Sequence, residues 1–165
     1  MERRMERLTA DKLDAFIDLR LTQLKEEGTL ETDLRPALED YLHRHLADGS
    51  FVSWILTEGN RILATSGISF VEKPPYPGAP NGRIGLLSCM YTDPACRRQG
   101  IAACLMQEVI RYAEEHDISR IVLEVRPSNE AAIALYEKFG FELDGRRPGF
   151  YDSPKEDALL YSLKL

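Results

Sequence analysis

Apolar residues recur at helical spacing in two segments near the start of the chain. In the first segment they fall on one face of a helix: Leu13, Phe16, Ile17, Leu21 and Leu24. We expect Thr9 to cap this helix and Gly28 to end it. A second helix, capped by Asp33 and ended by Gly49, has a similar apolar face made of Leu34, Leu38, Tyr41, Leu42 and Leu46.

The rest of the chain alternates between strand and helix patterns. Strands are predicted at residues 51–56, 61–71, 84–91, 118–125, 141–144 and 158–164. Helices are predicted at residues 102–115 and 129–139, and residues 73–82 form an irregular loop rich in proline and glycine. This order of elements predicts a mixed sheet with helices packed on it, which is an α/β fold.

Length and composition narrow the class of protein. A chain of 165 residues corresponds to one domain, which we take to be residues 1–165. The net charge of −6 argues against a general nucleic-acid-binding surface. The apolar runs are too short for a membrane span, and residues 1–7 do not resemble a secretory signal. Three cysteines make a disulfide framework improbable, so a reducing cytoplasm is expected.

The segment that follows the strand predicted at residues 84–91 has the strongest chemical signal. A strand ends near Tyr91, Asp93-Pro94 turns the chain, and the run Arg97-Arg98-Gln99-Gly100-Ile101-Ala102 leads into a helix. A helix start offers free N–H donors and a partial positive charge, which suit a phosphate group. Gly100 leaves the backbone uncovered and the two arginines add charged donors. An ordinary basic loop explains the run equally well when it is taken alone.

Two motifs together resemble a known family. Arg97-x-x-Gly100-x-Ala102 after a strand resembles the acetyl-CoA motif of the GNAT N-acetyltransferase superfamily. The run from Asn129 through Tyr136 to Phe141 is similar to the second signature of the same superfamily. The second half of the chain is most similar to the branch that acetylates the N-terminus of bacterial ribosomal proteins. The resemblance implies a mostly antiparallel central sheet with one splayed strand pair and about four flanking helices.

The resemblance also implies where acetyl-CoA would bind, with no metal involved. The pantetheine arm would follow the backbone of Met90, Tyr91 and Thr92. The pyrophosphate would lie on the turn, at Arg97, Arg98, Gln99, Gly100, Ile101, Ala102 and Ala103. Asn129 would contact the cofactor arm from the next helix, and a plain helix cap is its structural alternative.

Two further residues receive catalytic roles from the resemblance. Tyr136 would stand beside the thioester sulfur and protonate the leaving thiolate, and its alternative is core packing beside Phe139. Glu124 interrupts an apolar strand, where partial desolvation would suit a carboxylate to proton transfer. The branch has a glutamate in the base role here, and a salt bridge to Arg126 or to a neighbouring strand is the alternative.

These residues lead to one expected reaction and one alternative. An acetyl group would move from acetyl-CoA to a primary amine by direct attack within a ternary complex. The amine would belong to a small molecule or to the N-terminus of a peptide or protein, with neither nucleic acid nor membrane as partner. A homodimer is left open. The alternative is a catalytically silent domain that binds or senses acyl-CoA.

Overall fold

The residues of the chain cluster in two compact units. The computed structural model describes residues 1–28 and 32–165. One unit consists of residues 1–69 and 88–111, and the other of residues 70–87 and 112–165. The expectation of a single domain over residues 1–165 stays a prediction.

Helices and strands are both well represented within the described residues. The α-helices are α1 (Leu13–Glu26), α2 (Arg35–Asp48), α3 (Ile101–Glu115) and α4 (Glu130–Lys138). The strands are β1 (Arg3–Arg7), β2 (Phe51–Val52), β3 (Trp54–Glu58), β4 (Arg61–Glu72), β5 (Arg83–Thr92), β6 (Arg120–Val125), β7 (Glu142–Asp152) and β8 (Lys155–Lys164). Short 3₁₀ helices at Ala10–Lys12 and Pro94–Cys96 precede α1 and α3.

In the first unit, antiparallel strands pack against the first two helices. The strand order is β1-β3-β4-β5, and β2 pairs with β4. The apolar faces predicted for α1 and α2 supply Phe16, Ile17 and Leu42 to a buried cluster with Phe51 and Ile55. The helical periodicity of the sequence therefore identified the residues that fix α1 and α2 in this unit.

In the second unit, the strand order is β5-β6-β8-β7. Residues Ile84–Leu86 of β5 pair in parallel with Arg120–Val122 of β6, and both strands continue beyond these pairs. The pairings of β8 with β6 and with β7 are antiparallel. The predicted fold class, a mixed and mostly antiparallel sheet with about four helices, is confirmed.

Two parts of the sheet were missed or shortened by the sequence analysis. Strand β1 escaped notice because it is a charged edge strand, whose Arg3 pairs with Glu58 across the ladder at 3.1 Å. Strand β7 was predicted to end at Asp144, but it runs to Asp152. Its register shifts between Arg147 and Tyr151, around a proline that cannot donate to the ladder, which hid the strand pattern.

The start of α1 also differs from the prediction. The helix begins at Leu13, after the 3₁₀ turn, and Thr9 does not cap it through its side chain. The Thr9 hydroxyl donates instead to Asp11 Oδ1 at 2.5 Å. The cap predicted for the second helix is closer to the observation, since Asp33 Oδ1 accepts the N–H of Arg35 at 3.1 Å.

Candidate functional site

The turn between β5 and α3 has an unusual backbone. Asp93 caps the 3₁₀ helix by accepting the N–H of Ala95 at 2.9 Å. Arg97 is extended, whereas Arg98 and Gly100 both lie in the left-handed region, with φ of 63° and 76°. A non-glycine residue at positive φ is uncommon, so the turn keeps a specific and locally strained shape.

This shape leaves the start of α3 open to an anion. The first N–H groups of a helix have no acceptor within it, and they carry the positive end of the helix dipole. A Cβ placed on Gly100 would meet no atom within 4 Å, so space lies beside the backbone there. Arg98, Gln99 and Gly100 are exposed, and Ala102 and Ala103 are half-buried. Backbone amides at the start of α3 can therefore reach a bound phosphate.

Arg97, predicted to contact the phosphate, is held by other groups of its own unit. Its Nε donates to the carbonyl of Thr92 at 2.9 Å, and its Nη2 lies 3.4 Å from Glu26 Oε2. The guanidinium carbon lies 5.5 Å from the centre of the Tyr91 ring. These contacts fix the shape of the turn from within. Its direct contact with phosphate stays a prediction, as do those of the other residues of the turn.

Tyr91 and Glu26 complete this arrangement. The Tyr91 hydroxyl donates to Glu26 Oε1 at 2.8 Å. Burial raises the pKa of Tyr91 to about 12, with the hydrogen bond and the negative charge of Glu26 as further causes. Glu26 is the last residue of α1, about 65 positions before Tyr91 in the sequence, so its involvement could not be inferred from local pattern.

The end of β5, where the pantetheine arm was predicted, departs from regular strand geometry. Cys89 has a φ of 56°, and its carbonyl accepts from the Thr65 hydroxyl at 2.7 Å. The next carbonyl, that of Met90, accepts from Gln23 Nε2 at 3.2 Å. Gln23 is a buried polar residue of α1 that the sequence analysis overlooked. Its side chain holds the backbone of β5 at the residue that follows the positive φ.

In the second unit, the side chain of Glu124 is partly exposed and forms an ion pair. It lies on β6 opposite Leu160, and its side chain is 33% exposed. Its Oε1 lies 3.2 Å from Arg147 Nη2 on β7. The side chain is thus partly covered and partly exposed, and the effect of desolvation on the carboxylate stays a prediction. The salt-bridge alternative is present, formed with Arg147 rather than Arg126, and the catalytic role stays a prediction.

Asn129 and Tyr136 mark the two ends of α4. Asn129 Oδ1 accepts the N–H of Ala132 at 3.3 Å, so the residue caps the helix. Tyr136 is buried, and the centre of its ring lies 5.7 Å from that of Phe141. The Tyr136 ring therefore packs against Phe141, and packing beside Phe139 stays a prediction. The chain turns back after α4, and the N–H of Phe141 donates to the Tyr136 carbonyl at 3.1 Å.

Neither a metal cluster nor a membrane-spanning helix is found among the described residues. Within residues 1–28 and 32–165, no group of three or more His, Cys, Asp or Glu side chains could hold a metal ion. No helix in these ranges combines the length and apolar character required to cross a bilayer.

The chain folds as a mixed α/β protein with an uncovered turn before α3. Residues 13–141 match the model of the Acetyltransferase (GNAT) family, so the chain belongs to this family and the predicted family is confirmed. It is 33% identical over 117 residues, 71% of its length, to a Mus musculus protein named "Probable N-acetyltransferase family 8 member 5". It is 39% identical over 75 residues, 44% of its length, to the [ribosomal protein bS18]-alanine N-acetyltransferase of Escherichia coli K12.

A solved structure extends the comparison over more of the chain. A protein from Clostridium acetobutylicum, described as a predicted acetyltransferase and crystallised with acetyl-CoA, has a TM-score of 0.78 and 30% identity. The match covers 86% of this chain and 90% of that one. The alignments with the mouse and E. coli proteins span only about half of those relatives, 48% and 51% of their lengths.

Proposed function

We propose that this protein transfers an acetyl group from acetyl-CoA to a primary amine. The observation that carries the proposal is the turn before α3, where Arg98 and Gly100 adopt positive φ and leave the helix start uncovered. Membership of the GNAT family and the acetyl-CoA found with the Clostridium acetobutylicum relative support acetyl-CoA as the donor. Backbone amides would hold its pyrophosphate.

We assign cofactor binding to the first unit. Residues Gly100–Ala103 would donate N–H groups to the pyrophosphate, and the exposed Arg98 would add charge. Arg97 would keep the turn in shape through Thr92 and Glu26. The end of β5 would present backbone groups of Met90, Tyr91 and Thr92 to the pantetheine arm, and an N–H there would stabilise negative charge on the thioester oxygen.

We assign proton transfer to the second unit. The amine must lose a proton to attack, and Glu124 is exposed enough to take that proton through water. Tyr136 carries a phenol O–H, whose proton it would deliver to the departing thiolate. Asn129 would combine its role as helix cap with a contact to the cofactor arm.

The acceptor is an amine of a small molecule or the N-terminal amine of a peptide or protein. Similarity to the [ribosomal protein bS18]-alanine N-acetyltransferase supports the N-terminal amine. An α-amino group has a pKa near 8, against about 10.4 for a lysine side chain, so it is the easier group to deprotonate. Of the relatives reported above, the E. coli enzyme alone has an acceptor in its name, so a panel of acceptors is required.

The test is release of CoA from acetyl-CoA in the presence of small amines, lysine-containing peptides and peptides with free N-termini. Mass spectrometry of each product identifies which nitrogen carries the acetyl group. Acetylation of one class at a rate well above the acceptor-free background supports the proposal. Tight acetyl-CoA binding with no transfer to any acceptor would instead establish a silent acyl-CoA-binding domain. The ion pair that occupies Glu124 is the observation favouring that second candidate.

A further inference from the structure

In the second unit, one carboxylate connects two segments that are far apart in the sequence. Glu156 on β8 accepts the N–H of Ser128 through Oε1 at 3.2 Å. Its Oε2 accepts the Ser128 hydroxyl at 2.9 Å and an Arg126 N–H at 3.0 Å. We call residues 126–129 the β6–α4 connection, because they join those two elements. Glu156 holds this connection through three hydrogen bonds.

Arg126 extends the same network to the end of the β7–β8 hairpin. It donates to the carbonyls of Pro154 at 2.7 Å and Ser153 at 3.3 Å. Its guanidinium carbon lies 4.2 Å from the centre of the Tyr151 ring. The side chains of Arg126 and Glu156 are only 12% and 19% exposed. This shielding makes the network stronger than an exposed surface ion pair, which contributes little.

The position of the connection gives the network a functional meaning. Glu124 lies two residues before the connection, and Tyr136 lies on the helix that begins just after it. Inside the connection, one backbone hydrogen bond closes a turn, from Asn129 N–H to the Arg126 carbonyl at 3.0 Å. Side chains also hold the connection, and Glu156 contacts it at both Arg126 and Ser128.

We propose that Glu156 is a positioning residue, which sets the placement of the proposed base Glu124 and the proposed acid Tyr136 by fixing the β6–α4 connection to the β7–β8 hairpin. This inference rests on the proposed acetyl transfer. Glu156 stays ionised at neutral pH, since hydrogen bonds from Ser128 and Arg126 lower its pKa. Small displacements of groups at a reacting centre reduce rates strongly, by about 100-fold for 1 Å, so the network matters for rate beyond stability.

The neighbouring carboxylate, Asp157, provides a matched control. It also lies on β8, pairs with an arginine (Arg146, 2.9 Å), accepts a backbone N–H (Gly149, 2.8 Å) and has a lowered pKa. Both of these partners belong to β7, however, so Asp157 ties the hairpin to itself rather than to the β6–α4 connection. Replacing Asp157 loosens the hairpin without releasing the β6–α4 connection.

The experiment compares Glu156→Gln with Asp157→Asn, using the full chain and the best acceptor from the panel. We expect Glu156→Gln to lower the single-turnover rate by about 10- to 100-fold and to change the Kd for acetyl-CoA by less than about twofold. Asp157→Asn should keep the rate within about threefold of the unmodified protein at a similar loss of Tm. Equal rates for the two variants would overturn the positioning role.

Two milder variants address the case in which Glu156→Gln folds poorly. Ser128→Ala removes the hydroxyl hydrogen bond and keeps the backbone one, so a loss of about three- to tenfold is expected. Ser128→Thr retains a hydroxyl and should restore the rate to within about twofold. If the Ala and Thr variants are equally active, the hydroxyl contact has no positioning role and the inference is wrong.

A double-variant comparison separates positioning from simple loss of stability. If Glu156 acts through Glu124 and Tyr136, then Glu156→Gln reduces the rate by a much smaller factor in a Tyr136→Phe or Glu124→Gln background than it does alone. If Glu156→Gln reduces the rate by the same factor in both backgrounds as it does alone, the proposal is contradicted. If the unmodified protein acetylates no acceptor, the proposed function fails and this inference with it. If the protein is active and replacing Glu156 leaves the rate unchanged, this inference is wrong and the proposed function stands.

Discussion

The turn before α3 and the β6–α4 connection each position groups for the proposed reaction, but they do so by different means. The turn exposes its binding groups through backbone geometry, with Arg98 and Gly100 at positive φ and α3 beginning directly after them, and Arg97 supports that geometry. The connection takes its position from side-chain charge, through Arg126 and Glu156. A ligand held by amides tolerates changes in side chains but not in backbone shape, whereas groups placed by a charged network respond to single side-chain changes.

The largest effect is expected from Glu124→Gln, next to the β6–α4 connection, where placement depends on side chains. If Glu124 takes the proton from the amine, kcat/KM falls by about 10²–10⁴-fold and the acidic limb of the pH–rate profile changes. Steady-state kinetics across pH with the identified acceptor provide the measurement.

Arg147→Gln is the control for this variant. It removes the ion pair of 3.2 Å but leaves the carboxylate in place, so a loss below about tenfold is expected. If both variants reduce activity equally and neither alters the pH profile, the pair is structural and the base must be sought elsewhere.

A somewhat smaller effect is expected from Tyr136→Phe. The substitution keeps the ring that packs on Phe141 and removes only the hydroxyl, so folding and acetyl-CoA affinity should be retained. We expect the rate of the chemical step to fall by about 10–10³-fold, since a thiolate is already a fair leaving group. Single-turnover measurements avoid masking by product release. A rate equal to that of the unmodified protein would make Tyr136 a packing residue only.

Gly100→Glu tests the turn before α3, where binding depends on backbone geometry. The substitution introduces a side chain at a φ of 76° and places a negative charge where the pyrophosphate is proposed to bind. Affinity for acetyl-CoA should fall at least tenfold, about 1.4 kcal/mol, by titration calorimetry.

Gly100→Ala separates strain from charge in that experiment. The new methyl group meets no atom within 4 Å, so only the strain of positive φ remains, about 1 kcal/mol of stability. Its acetyl-CoA affinity should stay within about threefold of the unmodified protein. If the Glu variant binds acetyl-CoA as well as the Ala variant does, the pyrophosphate lies elsewhere.

The smallest effect is expected from Glu26→Gln, which probes how far the turn relies on side chains at all. Loss of the charge beside Tyr91 should lower its pKa from about 12 but leave it above the ordinary 10.0, because burial is the largest cause of the shift. Ultraviolet difference titration against Tyr91→Phe isolates this one phenol. Affinity for acetyl-CoA should weaken by only about two- to threefold, since the backbone shape persists.

The sign of the pH effect follows from the direction of the shift. The pKa of Tyr91 is raised in the folded protein, so its contribution to stability is complete below pH 10 and disappears as pH rises toward about 12. Glu26→Gln should therefore reduce the loss of stability over this alkaline range. An unchanged titration in the variant would contradict the proposed charge coupling between Glu26 and Tyr91.

Local sequence was sufficient where structure depends on residues close together in the chain. The apolar faces of α1 and α2 follow from a period of about 3.6 residues, and the turn from Arg97 to Ala102 follows from a short motif. Asn129 acts as a cap for the same reason, because the N–H it accepts lies three residues away. The edge strand β1 and the full length of β7 were not accessible in this way, since charges and a proline break their alternation.

The sequence by itself determined the family, the fold class and which residues are candidates for acetyl-CoA binding and catalysis. The tertiary structure decided which charged groups accompany those residues: Glu26 with Arg97, Arg147 with Glu124, and Glu156 with Ser128. These partners are separated by 71, 23 and 28 positions, so no periodicity or motif connects them. Folding brings them together because strand pairing and helix packing set distances in space that are independent of separation along the chain.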